Sequence, residues 1–290
     1  MGKFAYESFL KKKEFEVKGI ILPNNNSIYS TDIDKKKIKK KIKILSSDNK
    51  IKIYNFIKNI QPDLVIVSTF NKILDKKTLS LSKFINIHHG KLPKQKGRAS
   101  INWALILGRR NIYVTVHEIN SNLDAGMIIK QIKFEIKSID DYSSMQNKIN
   151  LYLKSYLPKI LNKYLNNKIK LRKNLKKNET WNCSRNPEDG MINFFDKRKK
   201  IINLIKGLSN KKLGAYCFLR EKKIIILDAK RIKMKFEGII PGRITKIHNN
   251  GSIECLCVDG PIIIKKIMYK SKVMKPSSLI KSTRHTLLND

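Results

Sequence analysis

Two histidines stand side by side at positions 88 and 89, where a hydrophobic run ends and the loop GKLPKQKGR begins. Asn86 lies two residues before His88, and Asp124 lies further along the chain in INSNLDAGMII. An amide and an imidazole can donate hydrogen bonds to an oxygen that gains negative charge, and a carboxylate can fix the tautomer of the imidazole and raise its basicity. These three side chains therefore suit acyl transfer.

Other interpretations of these residues remain open at this stage. No Ser or Cys stands beside Asn86 and His88, so direct attack by a substrate amine or by water is favoured over a covalent enzyme intermediate. A structural histidine near a loop aspartate would give the same spacing. A metal site built from His88, His117 and Asp124 is less favoured, because their spacing does not match motifs of the HExxH type.

The segments around these residues predict the elements that must position them. Apolar runs predict β-strands at 16–23, 62–70, 84–89 and 113–119, and helical spacing predicts helices at 3–13, 49–61 and 100–108. This alternation of strands and helices predicts a twisted α/β sheet, whose sites lie at the carboxyl ends of the strands. The pair of histidines falls at such an end.

The second half of the chain predicts a different architecture. A long helix over 141–166 carries apolar side chains on one side, namely Met145, Ile149, Leu153, Leu157, Ile160 and Leu161. The polar and basic segment 167–190 is interpreted as a linker. A helix at 199–208 and short strands with tight turns then predict a small β-barrel. We therefore expect a catalytic domain at 1–166, the linker, and a barrel-like domain at 191–290.

The chain is strongly basic, with a formal net charge of +39. Of its 62 basic residues ten are Arg and the other 52 are Lys, and they are spread over the whole length. This charge suggests a polyanion such as nucleic acid as a partner. Proteins that bind phosphates also recruit Arg for its bidentate fork, so a compositional bias toward Lys is the favoured explanation and a polyanion-binding surface is the alternative.

Membrane insertion is not expected for this sequence. The chain lacks a run of about 18 apolar residues, which a membrane-spanning helix needs. Its first residues also lack the apolar stretch of a signal peptide. These features predict a cytoplasmic protein.

The motifs around the histidines, taken together, resemble the formyltetrahydrofolate-dependent formyltransferase family. The family signature is N-x-H-x-[SG]-x-L-P, then a Gly and a helix beginning near I-x-W-A, then V-T-x-H and D-x-G. This chain has INIHHGKLPKQKGRASINWALILG and VTVHEINSNLDAGMII at those places. The C-terminal segments RNPEDGMINF, PGRITKI and CVDGPIIIKKI are similar to the C-terminal domain of methionyl-tRNA and amino-sugar formyltransferases, so the resemblance covers nearly the whole chain.

The resemblance implies roles for individual residues. Asn86, His88 and Asp124 match the catalytic trio of the family, whereas His89 stands where proline is common and is not expected to be catalytic. His117 is expected to support the site. The donor, 10-formyltetrahydrofolate, is expected to lie along the strand ends, bordered by Lys72, Ile73, Leu74, Arg98, Asn120, Ser121, Asn122, Leu123 and Asp124. No metal is implied.

The resemblance also implies a reaction and a set of acceptors. A neutral amine attacks the formyl carbon, and tetrahydrofolate leaves. The forms GRASINWAL and NPEDG are closer to the branch that acts on nucleotide-linked amino sugars, which is the favoured acceptor. Methionyl-tRNA is the alternative, although that branch carries a Gly- and Arg-bearing basic insertion where this chain has PNNNSIYSTDIDKKKIKKKIK. A formyltetrahydrofolate hydrolase and a non-catalytic basic RNA-binding protein are less favoured.

The fold implied by the resemblance is a Rossmann-like, twisted, mostly parallel sheet followed by a small OB-like β-barrel. Family members begin with a strand that leads into a glycine turn and the first helix. MGKFAYESFL looks like that turn and helix without the strand. We therefore expect upstream in-frame sequence to encode an apolar strand of about five residues. The oligomeric state stays open, with a homodimer as one expectation.

Overall fold

The computed structural model describes residues 2–10, 12–24, 33, 38–70, 72–209 and 214–288. The chain forms two compact units. Unit 1 comprises 1–100, 112–134 and 146–182, and unit 2 comprises 101–111, 135–145 and 183–290. Much of the polar segment that distinguishes the acceptor branches, at 25–32 and 34–37, lies outside the described residues.

The elements up to residue 182 alternate between helices and strands. In chain order they are α1 (Gly2–Phe9), β1 (Gly19–Leu22), β2 (Lys43–Ser46), α2 (Lys50–Ile60), β3 (Leu64–Val67), α3 (Lys76–Leu79), β4 (Lys83–His88), β5 (Lys96–Gly97), α4 (Ser100–Ile106), β6 (Asn111–Glu118), β7 (Ile128–Glu135), α5 (Tyr142–Leu165) and β8 (Trp181–Asn182). Among these described elements, no helix has the length and apolar character needed to cross a membrane.

The strands of unit 1 pair mostly in parallel. Strand β1 pairs with β2, β3 with β4, and β5 with β8, and all three pairs are parallel. The largest sheet has the order β3-β4-β6-β7, in which β6 runs antiparallel to β4. The predicted α/β class with a mostly parallel sheet is confirmed, and the antiparallel β6 matters for the site.

Strand β4 is buried on both faces, although it carries an amide and an imidazole. Phe84 packs with Ile53 and Ile57 of α2 in one apolar cluster. Because side chains alternate along a strand, Asn86 and His88 follow Phe84 on the same face. Buried polar groups need hydrogen-bond partners, so neighbouring elements must supply partners for Asn86 and His88.

Helix α5 confirms the predicted apolar side of the long helix. Met145, Ile149, Leu153, Leu157 and Leu161 are fully buried. Their spacing of four residues places them on one stripe. Pro158 lies inside the helix, which is continuous from Tyr142 to Leu165.

Unit 2 contains an antiparallel β domain. Its elements are α6 (Arg198–Gly207), β9 (Ala215–Leu219), β10 (Lys222–Arg231), β11 (Ile244–Ile247), β12 (Ile253–Cys257), β13 (Gly260–Tyr269) and β14 (Lys272–Met274). The strand order is β11-β12-β13-β10-β9, with β14 on β13, and neighbouring strands run antiparallel. This agrees with the predicted C-terminal β domain.

The last described segment connects the two edges of this sheet. Leu288 forms a bridge with Phe218 of the edge strand β9, and Thr286 forms a bridge with Arg243, next to the other edge strand β11. The backbone N–H of Ile244 also donates to the carbonyl of His285 at 3.0 Å. The segment 285–288 therefore closes the sheet in the manner of a barrel around its apolar core.

Candidate active site

Asn86 and His88 of β4 converge with Asp124, which lies in the loop after β6. The amide Nδ2 of Asn86 donates to Oδ1 of Asp124 at 3.4 Å. Nδ1 of His88 lies 3.6 Å from Oδ2 of Asp124, and both side chains are buried. The three side chains predicted to act together are therefore in contact.

Asp124 reaches His88 by a route that the sequence did not indicate. Because β6 runs antiparallel to β4, Glu118 at the end of β6 pairs with Ile85 rather than with the carboxyl end of β4. The loop then folds back, and Asp124 adopts a left-handed conformation with φ 49°, which short polar residues tolerate best after glycine. The loop after β6 therefore carries Asp124 back to the end of β4 that holds His88.

The return of this loop depends on close packing at Gly126. A Cβ atom added to Gly126 would lie 1.9 Å from the carbonyl oxygen of Glu118. The backbone N–H of Glu118 also donates to the carbonyl of Met127 at 2.9 Å, so the two segments are fixed against each other. The loop cannot take a side chain here without moving Asp124.

We therefore expect Gly126→Ala to impair both stability and activity. Forcing a methyl group into a packed site costs about 1–3 kcal/mol of unfolding free energy. Displacement of Asp124 should also lower kcat. The measurements are thermal unfolding and formyl transfer, with Gly238→Ala as the matched control, because a Cβ at Gly238 meets nothing within 4 Å. A Gly126→Ala enzyme with wild-type stability and kcat would contradict this account of the loop.

His117 orients the amide of Asn86 from the neighbouring strand. The two residues are direct cross-strand partners. Nδ1 of His117 lies 2.7 Å from the carbonyl oxygen of Glu118, which can only accept, so Nδ1 carries the proton. Nε2 is then an acceptor, and Nδ2 of Asn86 donates to it at 3.2 Å.

Burial keeps His117 in this neutral form. The pKa of His117 is lowered to about 4, mainly by desolvation; the carboxylate of Asp124 opposes this shift, and the nearby His88 adds to it. His117 therefore stays unprotonated at neutral pH and remains an acceptor at Nε2. The Asn86 amide is held with its two N–H groups toward His117 and Asp124.

Backbone atoms of the segment 95–97 contact His88 and Asp124 of the trio. Nε2 of His88 lies 2.7 Å from the carbonyl oxygen of Gln95 and donates to it. The backbone N–H of Gly97 donates to Oδ2 of Asp124 at 3.1 Å. Sequence reasoning missed Gln95 and Gly97, because they act through backbone atoms that no residue type reveals.

His89 differs from His88 in its surroundings. Its Nε2 atom is buried and has no hydrogen-bond partner among the residues described. Burial lowers the pKa of His89 to about 3, and the proximity of His88 adds to this shift. His89 is therefore a neutral imidazole at neutral pH, and its lack of a catalytic role stays a prediction.

The residues predicted to border the donor lie mostly on exposed loops. Lys72, Ile73, Arg98, Asn120, Ser121, Asn122 and Leu123 are exposed, Leu74 is half-buried, and Asp124 is buried. Ile73 is 66% exposed and Leu123 is 51% exposed, which is high for large apolar side chains. The contacts of these residues with a folate stay a prediction.

Within the described ranges, no group of three or more His, Cys, Asp or Glu side chains is arranged to hold a metal ion.

Two family models match the chain. Residues 12–161 match the family described as formyl transferase, and residues 185–284 match the formyl transferase C-terminal domain. The first match includes Asn86, His88 and Asp124 and spans more than half of the chain.

Individual proteins give the same assignment. The methionyl-tRNA formyltransferase of Clostridium acetobutylicum is 32% identical over 231 residues, which cover 77% of this chain and 72% of that protein. The bifunctional polymyxin resistance protein ArnA of Wigglesworthia glossinidia brevipalpis is 30% identical over 230 residues. The matched region covers 77% of this chain but only 35% of the length of ArnA. An N-formyltransferase from Helicobacter canadensis has been solved in complex with folinic acid and dTDP-3-aminofucose. Its structure superposes on 90% of this chain and 93% of its own, with a TM-score of 0.63 at 20% identity. This similarity shows a shared fold.

Proposed function

The chain belongs to the formyl transferase family, and on that premise we propose that it transfers a formyl group from 10-formyltetrahydrofolate to a primary amine. The observation that supports this best is the contact between Asn86, His88 and Asp124. An amide, an imidazole and a carboxylate in contact within a buried site suit the transfer of an acyl group.

The residues present fit a folate formyl donor. When bound, 10-formyltetrahydrofolate supplies the formyl carbon and an amine leaving group. The trio offers hydrogen-bond donors for the formyl oxygen, and the exposed apolar side chains Ile73 and Leu123 lie on segments suited to an aromatic ligand. We expect the donor to lie against these two loops.

The chain's own residues have distinct parts in the proposed reaction. Asn86 and His88 donate to the formyl oxygen as it gains negative charge. In this structure Nε2 of His88 donates to the Gln95 carbonyl, and the amide of Asn86 donates to His117 and Asp124. The formyl oxygen must therefore replace the Gln95 carbonyl at His88 and one of the two acceptors at Asn86. Asp124 holds the imidazole in place. A bond forms between the acceptor nitrogen and the formyl carbon, the bond from that carbon to the folate nitrogen breaks, and the amine proton passes to the leaving nitrogen.

We propose a nucleotide-linked amino sugar as the acceptor. Two motifs of the sequence pattern that favours this acceptor, INW and RNPEDG, lie in unit 2. Nδ2 of Asn102 donates to the carbonyl of Gly207 at 2.8 Å, and Nε1 of Trp103 donates to the carbonyl of Cys183 at 2.9 Å. The guanidinium of Arg185 lies 4.9 Å from the centre of the Trp103 ring. Trp103 of the INW motif therefore packs against Arg185, the first residue of RNPEDG.

Arg98 of the GRASINW motif is an exposed residue, one position after Gly97, whose N–H binds Asp124. Besides its predicted place at the donor, we propose that its guanidinium contacts the diphosphate of a nucleotide sugar, because the guanidinium fork binds phosphate oxygens in pairs. The amino-sugar proposal rests on this residue together with the branch pattern of the sequence.

Methionyl-tRNA is the second candidate acceptor. The identity with the Clostridium acetobutylicum enzyme favours it, because that protein covers most of the chain at 32% identity. The net charge of +39 would also suit an RNA substrate.

The acceptor is tested by direct competition of substrates at several salt concentrations. The enzyme is incubated with 10-formyltetrahydrofolate and either a dTDP-amino sugar or methionyl-tRNA. We expect formylation of the sugar with a shallow dependence on salt, because only two phosphates are bound. A tRNA substrate bound through six to ten phosphates would lose about 10³–10⁵ in affinity between 50 and 200 mM salt. Turnover of the tRNA alone would overturn the amino-sugar proposal.

A further inference from the structure

Residues 172–182, which we call the strap, lie within the segment that the sequence predicts to be a linker. In the structure the strap is bonded to the rest of unit 1. At its start, the backbone N–H of Ile128 donates to the carbonyl of Arg172 at 2.8 Å, and Arg172 returns a bond to Ile128 at 3.0 Å. This bridge places the strap beside the strand that follows the Asp124 loop.

The strap binds the loop that carries Asp124. Nδ2 of Asn174 donates to the backbone carbonyl of Asp124 at 2.8 Å and to that of Gly126 at 3.2 Å. One amide group therefore spans the tight turn that returns Asp124 to His88.

The strap also binds the segment that faces His88. The backbone N–H of Lys96 donates to the carbonyl of Thr180 at 2.9 Å, and that of Gln95 donates to Oγ1 of Thr180 at 3.0 Å. Two further bonds extend this parallel pairing of β5 with β8. Nζ of Lys96 donates to Oε2 of Glu179 at 2.7 Å, and Nδ2 of Asn182 donates to Oγ of Ser100 at 3.0 Å.

The ion pair between Lys96 and Glu179 is the strongest of these contacts. The side chain of Lys96 is only 4% exposed, and a buried ammonium group is costly unless it is paired. The hydrogen bond from Lys96 is the main cause of a lowered pKa for Glu179, so this carboxylate stays charged at neutral pH. The pair therefore fixes Lys96, and with it the backbone on either side.

We propose that the strap positions the reacting groups of the enzyme through Glu179 and Asn174. Glu179 acts through Lys96 on the segment 95–97, whose backbone contacts His88 and Asp124. Asn174 acts on the Asp124 loop directly. The inference rests on the proposed formyl transfer and goes beyond it by making part of the linker a positioning element.

The first test replaces the carboxylate of Glu179. Glu179→Gln leaves Lys96 buried without its counter-charge, so the segment 95–97 should shift. A displacement of about 1 Å can cost about 10²-fold in rate, and we expect kcat to fall by about 10- to 100-fold. KM for either substrate should change by less than about twofold, because the binding surfaces remain. Glu14→Gln is the matched control, since Glu14 is an exposed carboxylate in the same unit.

A double variant separates positioning from stability. Lys96→Met combined with Glu179→Gln removes both charges, so no unpaired ammonium remains and Tm should return toward the wild-type value. Without the ion pair the segment keeps only its backbone bonds to Thr180, which do not fix the Lys96 side chain, so kcat should stay low. A double variant whose kcat recovers together with Tm would show that Glu179 only stabilises the fold, and would overturn the proposal.

Asn174 supplies an independent second arm. Asn174→Ala removes both bonds to the Asp124 loop and should also lower kcat by about 10-fold or more at nearly constant KM. Asn178→Ala is its control, because Asn178 is an exposed residue of the same strap. If the wild-type chain transfers no formyl group to any amine, the proposed function fails. If it does, and Glu179→Gln and Asn174→Ala both retain wild-type kcat, only the role of the strap fails.

Discussion

His88→Ala is expected to lower kcat by about 10²–10³-fold, which corresponds to roughly 3–4 kcal/mol of transition-state stabilisation. The substitution removes the N–H group that would donate to the formyl oxygen. It also removes the partner that faces Oδ2 of Asp124. Asn86→Ala removes the other donor and should have a loss of similar size.

The matched control is the neighbouring histidine. His89→Ala should cost less than about tenfold, or roughly 1.4 kcal/mol, because the contacts that join the trio are made by His88, Asn86 and Asp124. Single-turnover formyl transfer is measured for the three variants, and circular dichroism checks that each is folded. If folded His89→Ala lost as much activity as His88→Ala, the assignment of the catalytic histidine would be wrong.

The sequence was most informative where a periodic pattern meets a buried surface. The run FINIH predicted a strand that ends at the histidines, and β4 ends at His88. The stripe from Met145 to Leu161 predicted the buried side of α5 correctly. In both cases apolar side chains repeat with the period of the element, so the pattern and the core agree.

Helix α2 shows what a periodic pattern leaves open. The spacing of Ile51, Tyr54, Ile57 and Ile60 predicts a helix, and α2 spans Lys50–Ile60, but its apolar residues occupy more than one face. The structure buries Ile53 and Ile57, and it leaves Ile51 70% exposed. With isoleucines available on several faces, packing against Phe84 selects the buried one, and the helix alone does not determine it.

The site could be predicted by residue type but not by geometry. Asn86, His88 and Asp124 were identified because their chemistry fits acyl transfer and their motifs resemble a family. The direction of β6, the left-handed turn at Asp124 and the fit of Gly126 against Glu118 depend on backbone geometry, which alternation of apolar residues does not encode. The strap was missed for a similar reason, since its bonds come from backbone atoms and from isolated side chains in a polar segment.

The positions of Asn86, His88 and Asp124 depend on groups outside the trio. The trio lies on β4 and on one loop, and it is held from outside by backbone groups of the segment 95–97 and by the strap. Preorganised donors stabilise developing charge only if their positions are fixed before the reaction. In the proposed mechanism, the residues that fix these donors therefore belong to the catalytic arrangement together with Asn86 and His88.

Asp124→Asn should be among the most damaging substitutions in the chain, although it keeps the shape of the side chain. In the wild type both carboxylate oxygens accept hydrogen bonds. Oδ1 accepts from the amide of Asn86 at 3.4 Å, and Oδ2 accepts from the N–H of Gly97 at 3.1 Å while facing His88. An asparagine has one oxygen and one NH₂ group, so whichever way it turns, a donor must face another donor.

The loss of charge adds to this mismatch. Without the carboxylate, His88 loses the group that orients its ring, and a comparable Asp→Asn change in a Ser-His-Asp triad lowers kcat by about 10⁴. We expect a loss of about 10²–10⁴-fold here. Asp124 also raises the pKa of His117 against the effect of burial, so its removal should lower that pKa further below about 4. His117 then remains neutral at every pH at which the enzyme is assayed.

Two measurements test this prediction. Single-turnover formyl transfer gives the loss in kcat, with Asp63→Asn as the control, since Asp63 is an exposed aspartate of the same unit. NMR titration of labelled histidines follows the protonation of His117 in the wild type and in Asp124→Asn. The pKa of His117 should fall in the variant, because an attractive negative charge has been removed while burial is unchanged. If Asp124→Asn kept more than about a tenth of the wild-type kcat, then the carboxylate would not be needed to hold His88, and the proposed division of roles within the trio would be wrong.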